Sequence, residues 1–154
     1  MRLGAKARYA VMAMADIARQ SAALGEDRAV CLSDIADRQE ISLAYLEQLF
    51  ARLRRAGLVA SVRGPGGGYR LGAEAEAITI GAIVKAVEEP IQATRCGAHV
   101  STGCMAKGAR CLTHDLWDAL GDEIEHFLGG VSLADVLSRK DLRRRSVVAE
   151  GVHA

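Results

Sequence analysis

The sequence predicts a mainly α-helical fold with a small β-hairpin wing, that is, a winged helix-turn-helix followed by a long dimerisation helix. Two short helical segments separated by a tight turn lie in residues 33–57, and the second is strongly amphipathic. Two strand-forming runs then flank a glycine-rich turn at residues 64–68. We therefore expect a winged helix-turn-helix in residues 1–78, a ligand loop and a dimerisation helix in 79–140, and a disordered tail in 141–154.

Charge is divided unevenly along the 154 residues. The net charge is +1, but residues 1–72 carry eleven Lys and Arg against seven Asp and Glu, whereas residues 73–154 carry nine against twelve. The basic half is the one expected to meet a polyanionic partner such as DNA. No apolar run reaches the length of a bilayer span and no signal peptide is evident, so we expect a soluble, cytoplasmic protein with no membrane partner.

Residues 4–22 are predicted to form the first helix. Lys6 and Arg8 flank its start, where they either contact DNA phosphates or only solvate the surface. Its apolar residues recur at helical spacing on one face: Tyr9, Met12, Ala13 and Ile17.

The helix-turn-helix follows. Ser33 is predicted to cap a short helix that ends near Glu40, and Ser42 to cap a stronger helix that ends at Gly57. The apolar stripe of the stronger helix predicts its buried face: Leu43, Leu46, Leu49, Phe50 and Leu53. Its other side chains are predicted to face outward, where they could enter a major groove: Ala44, Tyr45, Glu47, Gln48, Ala51, Arg52 and Arg55.

The hairpin wing comes next, in the stretch VRGPGGGYR. Gly64, Gly66 and their neighbours permit left-handed backbone and a close approach to another surface. Arg63 lies at the tip, from which it can reach a minor groove or a phosphate. A phosphate-cradling enzyme loop is the alternative for so many glycines, but the Lys-Ser/Thr pair that completes such a nucleotide site is absent.

Three further helices are expected in the second half. Thr79 caps the segment IGAIVKAVEE, which Pro90 ends, and Ser132 begins a last short helix. Between them, a helix of about 16 residues from Thr113 to Leu128 spans roughly 24 Å and has more apolar face than a small core needs. Its stripe predicts a dimer interface: Leu116, Leu120, Ile124, Phe127 and Leu128.

Cys96, Cys104, Cys111 and His114 fall within nineteen residues, with gaps of seven, six and two. Thiolates and an imidazole in one glycine-containing loop indicate a metal site. Their spacing alone does not decide between a tetrahedral zinc site and an iron-sulfur cluster. Buried structural thiols are a weaker interpretation, because the loop offers little apolar core for them. A disulfide framework is also weaker, because a reducing cytosol disfavours disulfides.

An enzyme is not expected. Cys111 and His114 imitate a nucleophile and its base, but their two-residue separation at a loop-helix junction suits shared metal ligation better. The sequence shows no substrate site or oxyanion site beside them.

Three parts of the chain resemble a known family. They are MRLGAKARYAVMAM, ISLAYLEQLFARLRRAGLVASVRGPGGGYRL, and ATRC followed further on by CLTHDLW. Together and in this order they are similar to the IscR-type iron-sulfur cluster regulators, a bacterial winged-helix transcription factor family. The resemblance extends to about residue 140.

The resemblance implies a homodimer that carries one [2Fe-2S] cluster per subunit, supplied by iron-sulfur cluster donor proteins. The implied ligands are Cys96, Cys104, Cys111 and His114. The first two gaps between the cysteines are longer here than is usual in the family, which leaves [4Fe-4S] open and makes His99 a competing imidazole.

Two residues outside this ligand set bear on the resemblance. Cys31 has no role in it and is expected to be a small core residue. The resemblance to nitric-oxide-sensing relatives implies an acidic ligand from the first helix, but the corresponding region here has Lys6 and Arg8, with Asp16 two turns later. That arrangement argues against the nitric-oxide-sensing mode.

The resemblance also implies a function, that of a repressor and activator of iron-sulfur cluster assembly genes whose operator choice depends on the cluster. In the family, an acidic residue on the recognition helix discriminates between two operator classes, and Glu47 occupies that position. Without the resemblance, a solvated Glu47 paired with Arg54 or Arg55 is the simpler interpretation. The expected DNA contacts, among which Ala44 replaces a serine common in the family, are Lys6, Arg8, Ala44, Tyr45, Glu47, Gln48, Arg52, Arg63, Gly64 and Gly66. The alternative function is a zinc-stabilised regulator that binds DNA constitutively.

Overall fold

The computed structural model describes residues 4–25, 28–87, 103–139 and 141–145. In chain order its elements are the helices α1 (Ala5–Leu24), α2 (Leu32–Gln39) and α3 (Leu43–Arg55), the strands β1 (Val59–Val62) and β2 (Gly68–Leu71), the helices α4 (Ile80–Val87), α5 (His114–Gly129) and α6 (Leu133–Leu137), and a 3-10 helix (Leu142–Arg145). The two strands pair antiparallel. The predicted mainly helical fold with a hairpin wing is therefore confirmed.

Helix α1 forms one wall of the core and packs against α3, α4 and α6. Its buried face consists mainly of alanines, which let neighbouring helices approach closely: Ala7, Ala10, Ala13, Met14, Ile17 and Ala18. The predicted face is right for Ala13 and Ile17 but wrong for Met12, which is 39% exposed. Met14 fills the core instead, because two positions along a helix correspond to a rotation of about 200°.

The turn between α2 and α3 is tight. Glu40 takes the left-handed conformation with φ of 54°, and the N–H of buried Ile41 donates to the Ala36 carbonyl at 3.0 Å. Ser42 Oγ then accepts from the Tyr45 N–H at 3.4 Å, as predicted for the cap of α3. These bonds fix the angle at which α3 leaves α2.

The predicted start of α2 and part of the predicted stripe of α3 are wrong. Cys31, not Ser33, is the N-cap of α2, and Ser33 lies within the first turn. Leu43 is 42% exposed, because the first residue of α3 projects beyond the edge of the core. The rest of the stripe is buried as predicted: Leu46, Leu49, Phe50 and Leu53. Gly57, with φ of 75°, follows the end of α3 as predicted.

The wing is anchored to the helix-turn-helix at its base. Tyr69 of β2 exchanges backbone hydrogen bonds with Val30, at 2.7 and 2.8 Å, and its ring meets the ring of Phe50 edge-on at 4.9 Å between centroids. A Cβ at Gly68 would overlap the Val30 carbonyl, so this position needs glycine. The strands are thereby held against α3 and the start of α2.

Helices α4 and α6 begin side by side. Thr79 Oγ1 accepts from the Ala82 N–H at 3.1 Å, which confirms the predicted cap of α4. Ser132 and Asp135 form a capping box at the start of α6, also at a predicted position, and Thr79 and Ser132 form an isolated β-bridge. Pro90, the predicted end of α4, lies outside the described residues.

Helix α5 follows the predicted boundaries and packs against α4. The expected tail begins with the 3-10 helix, in which Leu142 packs against the core. Residues 146–154 lie outside the described part of the chain. Within the described ranges, none of the helices combines the length and the apolar character needed to cross a bilayer.

Candidate metal centre and nucleic-acid interface

A compact turn in residues 103–111 positions two of the predicted ligands. The N–H of Gly103 donates to the Gly108 carbonyl at 3.2 Å, and the N–H of Met105 donates to the Ala109 carbonyl at 3.0 Å. Gly108 has φ of 79°, a left-handed conformation that a side chain would strain. The turn folds the chain back on itself, so that its two ends lie together.

Cys104 meets His114 at the N-terminus of α5, beside the backbone of Cys111. Cys104 Sγ lies 3.2 Å from His114 Nδ1 and 3.4 Å from the backbone nitrogen of Cys111, which donates to it. His114 is the first residue of α5 and is only 7% exposed. The structure thus brings the side chains of Cys104 and His114 together and places the backbone of Cys111 beside them, whereas Cys96 and the competing His99 lie outside the described residues.

The Cys111 side chain is held by the first turn of α5. Its Sγ lies 3.7 Å from Thr113 Oγ1, which also accepts from Trp117 Nε1 at 3.1 Å. The N–H of His114 donates to the Cys111 carbonyl at 3.1 Å. Both Cys104 and Cys111 are partly exposed, so the site opens at the protein surface.

The side chains at this site fit part of a metal centre. Among the described residues, no group of three or more His, Cys, Asp and Glu side chains is close enough to hold a metal ion by itself. Two thiols and one imidazole nevertheless make up part of a soft ligand set of the kind that binds zinc or iron-sulfur clusters, and not calcium or magnesium.

Asp16, the acidic residue of α1, is committed elsewhere. Arg38 Nη2 lies 2.7 Å from Asp16 Oδ1 and Arg38 Nε 3.0 Å from Oδ2, and Gln39 Nε2 donates to Oδ2 at 2.8 Å. Burial alone would raise the pKa of the carboxyl, but the hydrogen bonds from Arg38 and Gln39 outweigh it and the pKa lies below its ordinary value. Because both oxygens of Asp16 already accept hydrogen bonds, the structure supports the expectation that Asp16 is not a cluster ligand.

The expectation for Cys31 is wrong, because its thiol is exposed and not a core residue. The N-cap position of α2 places the side chain at the helix surface. Its Sγ lies 3.0 Å from Ser33 Oγ, and hydrogen bonds from the Ser33 side chain and backbone lower the pKa of the thiol.

The predicted DNA contacts lie at three surface regions. Lys6 and Arg8 are at the start of α1, five residues are on α3, and Arg63, Gly64 and Gly66 are at the wing tip. Tyr45 is half-buried, and every other residue of the set is exposed: Lys6, Arg8, Ala44, Glu47, Gln48, Arg52, Arg63, Gly64 and Gly66.

Aromatic contacts join the start of α1 to the start of α3. The rings of Tyr9 and Tyr45 meet edge-on, with 5.8 Å between centroids and an interplanar angle of 89°. The Arg8 guanidinium lies 5.7 Å from the Tyr9 ring centroid. The Arg8 guanidinium is thus placed beside the start of α3. Tyr45 is half-buried and packs on Tyr9, so its ring also has a structural role.

Glu47 is exposed on α3, and within the described residues it forms no ion pair with Arg54 or Arg55. Arg55 Nε instead donates to the Ala51 carbonyl of its own helix at 3.3 Å. The simpler interpretation of Glu47 as a paired helix charge therefore gains no support.

Two arrangements were not predicted from the sequence. Arg52 Nη1 donates to the Val87 carbonyl at 2.9 Å, which joins α3 to the last described residue of α4. The second arrangement is the set of hydrogen bonds from Arg38 and Gln39 to Asp16. The sequence did hint at it, since Asp16 falls within the apolar face of α1, where a carboxylate needs a partner.

Comparisons with known proteins agree with this fold. The profile of the Rrf2 family, described as iron-dependent transcriptional regulators, matches residues 3–139. The regulator IscR of Yersinia enterocolitica is 54% identical over 142 residues, which are 92% of this chain and 82% of that protein. The IscR of Serratia proteamaculans is 52% identical over the same shares of both chains.

Solved structures of transcriptional regulators are also similar to this chain. The structure of IscR from T. potens is 32% identical, has a TM-score of 0.72, and is matched over 100% of this chain and 94% of that one. CymR, the global cysteine regulator of B. subtilis, is 32% identical with a TM-score of 0.73, over 92% and 99% of the two chains. The curated relatives are described as regulators of transcription and not as enzymes, as expected for this chain. The chain belongs to the Rrf2 family of DNA-binding transcriptional regulators.

Proposed function

We propose that the chain acts as a homodimeric sensor of iron-sulfur clusters, whose choice of operator depends on a [2Fe-2S] cluster held by Cys96, Cys104, Cys111 and His114. The observation that carries the proposal is the approach of Cys104 Sγ to His114 Nδ1, 3.2 Å, at the first residue of α5. The name of the relatives at 52 and 54% identity supports the same proposal.

The chemistry of these residues suits a sensor. When bound, the cluster would supply an oxidation-sensitive centre whose formal charge with three thiolates and a neutral imidazole is about −1. The thiols must lose their protons to ligate, and His114 must be neutral, so ligation competes with protonation. An imidazole in place of a fourth thiolate holds the group less firmly, so occupancy can follow supply from donor proteins.

The exposed face of α5 supports a dimer. His114 is its only buried residue, whereas Leu116 is 59% and Phe127 38% exposed. Leu120 and Ile124 on the same stripe are half-buried. A second copy packed on this stripe would remove apolar surface from water. It would also place two copies of α3 in one complex, as two operator half-sites require.

Ligation can change operator choice through this dimer. His114 begins the helix proposed to form the interface, so ordering of the ligand loop would alter the tilt or spacing of the two recognition helices. A coupling of about 1 to 3 kcal/mol is enough to change relative operator affinity 5- to 150-fold. Repression and activation of iron-sulfur cluster assembly genes are the outputs that we propose.

The experiment is iron, zinc and acid-labile sulfide analysis with a visible spectrum of protein purified without oxygen. Wild type is expected to be red-brown, with iron and sulfide near two each per subunit. Cys104→Ala and His114→Ala should lose most of both, whereas Cys31→Ser, which removes the one cysteine outside the ligand set, should keep them. Colourless wild type with stoichiometric zinc would refute the proposal in favour of a structural, constitutive role for the loop, and four irons would replace [2Fe-2S] by [4Fe-4S].

A further inference from the structure

We propose that Arg52 is a positioning residue that couples the ligand segment to the recognition helix, and that it is not a direct DNA contact. The inference rests on the proposed cluster-dependent function. The observation behind it is the hydrogen bond of 2.9 Å from Arg52 Nη1 to the Val87 carbonyl.

The bond joins α3 to Val87, the last residue of α4 that the structure describes. A carbonyl oxygen has two lone pairs, so it can accept from a side chain whether or not it also accepts within its own helix. The bond is charge-assisted, because the donor is a guanidinium. Arg52 therefore fixes Val87 of α4 relative to α3.

Helix α4 lies between the helix that begins with His114 and the recognition helix α3. It packs against α3 and also against α5, whose first residue is His114. Along the chain, Val87 precedes Cys96 by nine positions. A change of position at the ligands can therefore shift α4 through its packing with α5 or through the chain that follows Val87. The bond from Arg52 to Val87 then transmits this shift to α3.

The neighbouring arginines of α3 behave differently. Arg55 bonds to Ala51 of its own helix, and within the described residues Arg54 makes no hydrogen bond to another element. Arg54 is exposed at the same end of the helix and carries the same charge. Arg54→Gln is thus a matched control for Arg52→Gln.

The two roles of Arg52 make different predictions. A guanidinium that binds a phosphate contributes equally to all DNA, and its removal makes the dependence of log affinity on log salt shallower by about 1 for each phosphate that it neutralised. A guanidinium that ties α3 to α4 contributes to the difference between the cluster-loaded and cluster-free states, and its removal leaves the salt slope unchanged.

The experiment measures both quantities for wild type, Arg52→Gln, Arg52→Lys and Arg54→Gln. DNA duplexes selected with cluster-loaded and with cluster-free wild-type protein are titrated with each form over a series of salt concentrations. In Arg52→Gln we expect the ratio of the DNA affinities of the cluster-loaded and cluster-free forms to fall by about fivefold or more. The dependence of affinity on salt should stay the same as in wild type. Arg52→Lys should recover part of the ratio, and Arg54→Gln should keep it.

Hydrogen exchange provides a readout without DNA. In Arg52→Gln, amides around Val87 of α4 should exchange about fivefold faster than in wild type, since this part of the helix loses its bond to α3. If Arg52→Gln does not fold, Arg52→Lys is compared with Arg54→Lys in the same two assays.

The outcomes separate the two proposals. A shallower salt slope with an unchanged ratio and unchanged exchange makes Arg52 a phosphate contact and overturns the inference. A wild-type ratio that persists in Arg52→Gln also overturns it, while the proposed function stands. Wild type with no cluster-dependent ratio refutes the proposed function, and the coupling role of Arg52 with it.

Discussion

Arg38 holds the buried carboxylate of Asp16 in a two-point ion pair, with 2.7 Å between Nη2 and Oδ1 and 3.0 Å between Nε and Oδ2. Asp16 lies on α1 and Arg38 near the end of α2, so the pair joins the first helix of the helix-turn-helix to the long helix behind it. Gln39 adds a third donor. The position of α2, and with it the turn into α3, therefore depends on a polar contact at the edge of an apolar core.

Removal of Arg38 should destabilise the protein. Arg38→Ala leaves a carboxylate that is 6% exposed with Gln39 as its remaining side-chain donor. We expect the free energy of unfolding to fall by about 2 kcal/mol, below the usual loss for a buried pair because the Arg38 side chain is partly solvated. Urea unfolding followed by circular dichroism measures this, with Arg28→Ala, an exposed loop substitution, as the control. Equal midpoints for both variants would show that the ion pair does not stabilise the fold.

The same pair should give the stability a dependence on acid pH. Because the folded-state pKa of Asp16 lies below its ordinary value, its contribution is present above about pH 4, the ordinary pKa. It is lost as the pH falls from there through the folded-state pKa, since the unfolded chain then binds a proton that the folded chain excludes. Urea midpoints measured between about pH 3 and pH 7 should fall less steeply with acid for Asp16→Asn than for wild type. Parallel curves would contradict this assignment.

Glu47 should contribute to operator discrimination. An exposed glutamate on α3 can accept a hydrogen bond from cytosine but repels phosphate, so it penalises wrong docking. In Glu47→Ala the affinity ratio between the two operator classes should move towards one by about 5- to 150-fold, which corresponds to about 1 to 3 kcal/mol. Glu76→Ala, which removes an exposed charge between β2 and α4, is the control. Equal changes in affinity for all DNA, specific and random, would count against a discriminating role.

The stripe on α5 should be required for dimerisation. Leu116→Asp places a charge where we propose that a partner helix packs, and each dimer contains the substitution twice. The equilibrium should shift to monomer at concentrations where wild type sediments as a dimer. Glu123→Gln, an exposed position on the same helix, should leave the sedimentation coefficient unchanged. Dimers of Leu116→Asp that match wild type would place the interface elsewhere.

Much of the fold could be predicted because local side-chain chemistry determines it. Ser42, Thr79 and Ser132 each accept from a backbone N–H three residues further along the chain, as sequence-level capping signals predict. The cap of α2 was missed because Ser33 and Cys31 are two residues apart, and only tertiary packing decides where the first turn begins. A serine signal in sequence gives a helix start within a turn, not to the residue.

Contacts between distant residues were not predictable in the same way. Arg52 has the spacing of an outward-facing residue on α3, and it is exposed, but the last described residue of α4 lies within reach of its guanidinium. The pairing of Asp16 with Arg38 likewise depends on how α1 and α2 pack. At the candidate metal centre, sequence spacing predicted the ligand types, and the structure adds that Cys104 meets His114 directly while Cys111 approaches through its backbone.

A single titration can show whether cluster occupancy changes operator choice. Affinities for the two operator classes are measured at one salt concentration, with the same preparation before and after cluster removal and with Cys111→Ala in parallel. We predict that removal lowers the affinity for one class by about 5- to 150-fold, changes the other by less than about twofold, and makes wild type match Cys111→Ala. Unchanged affinities for both classes after cluster removal would show that the cluster does not determine operator choice.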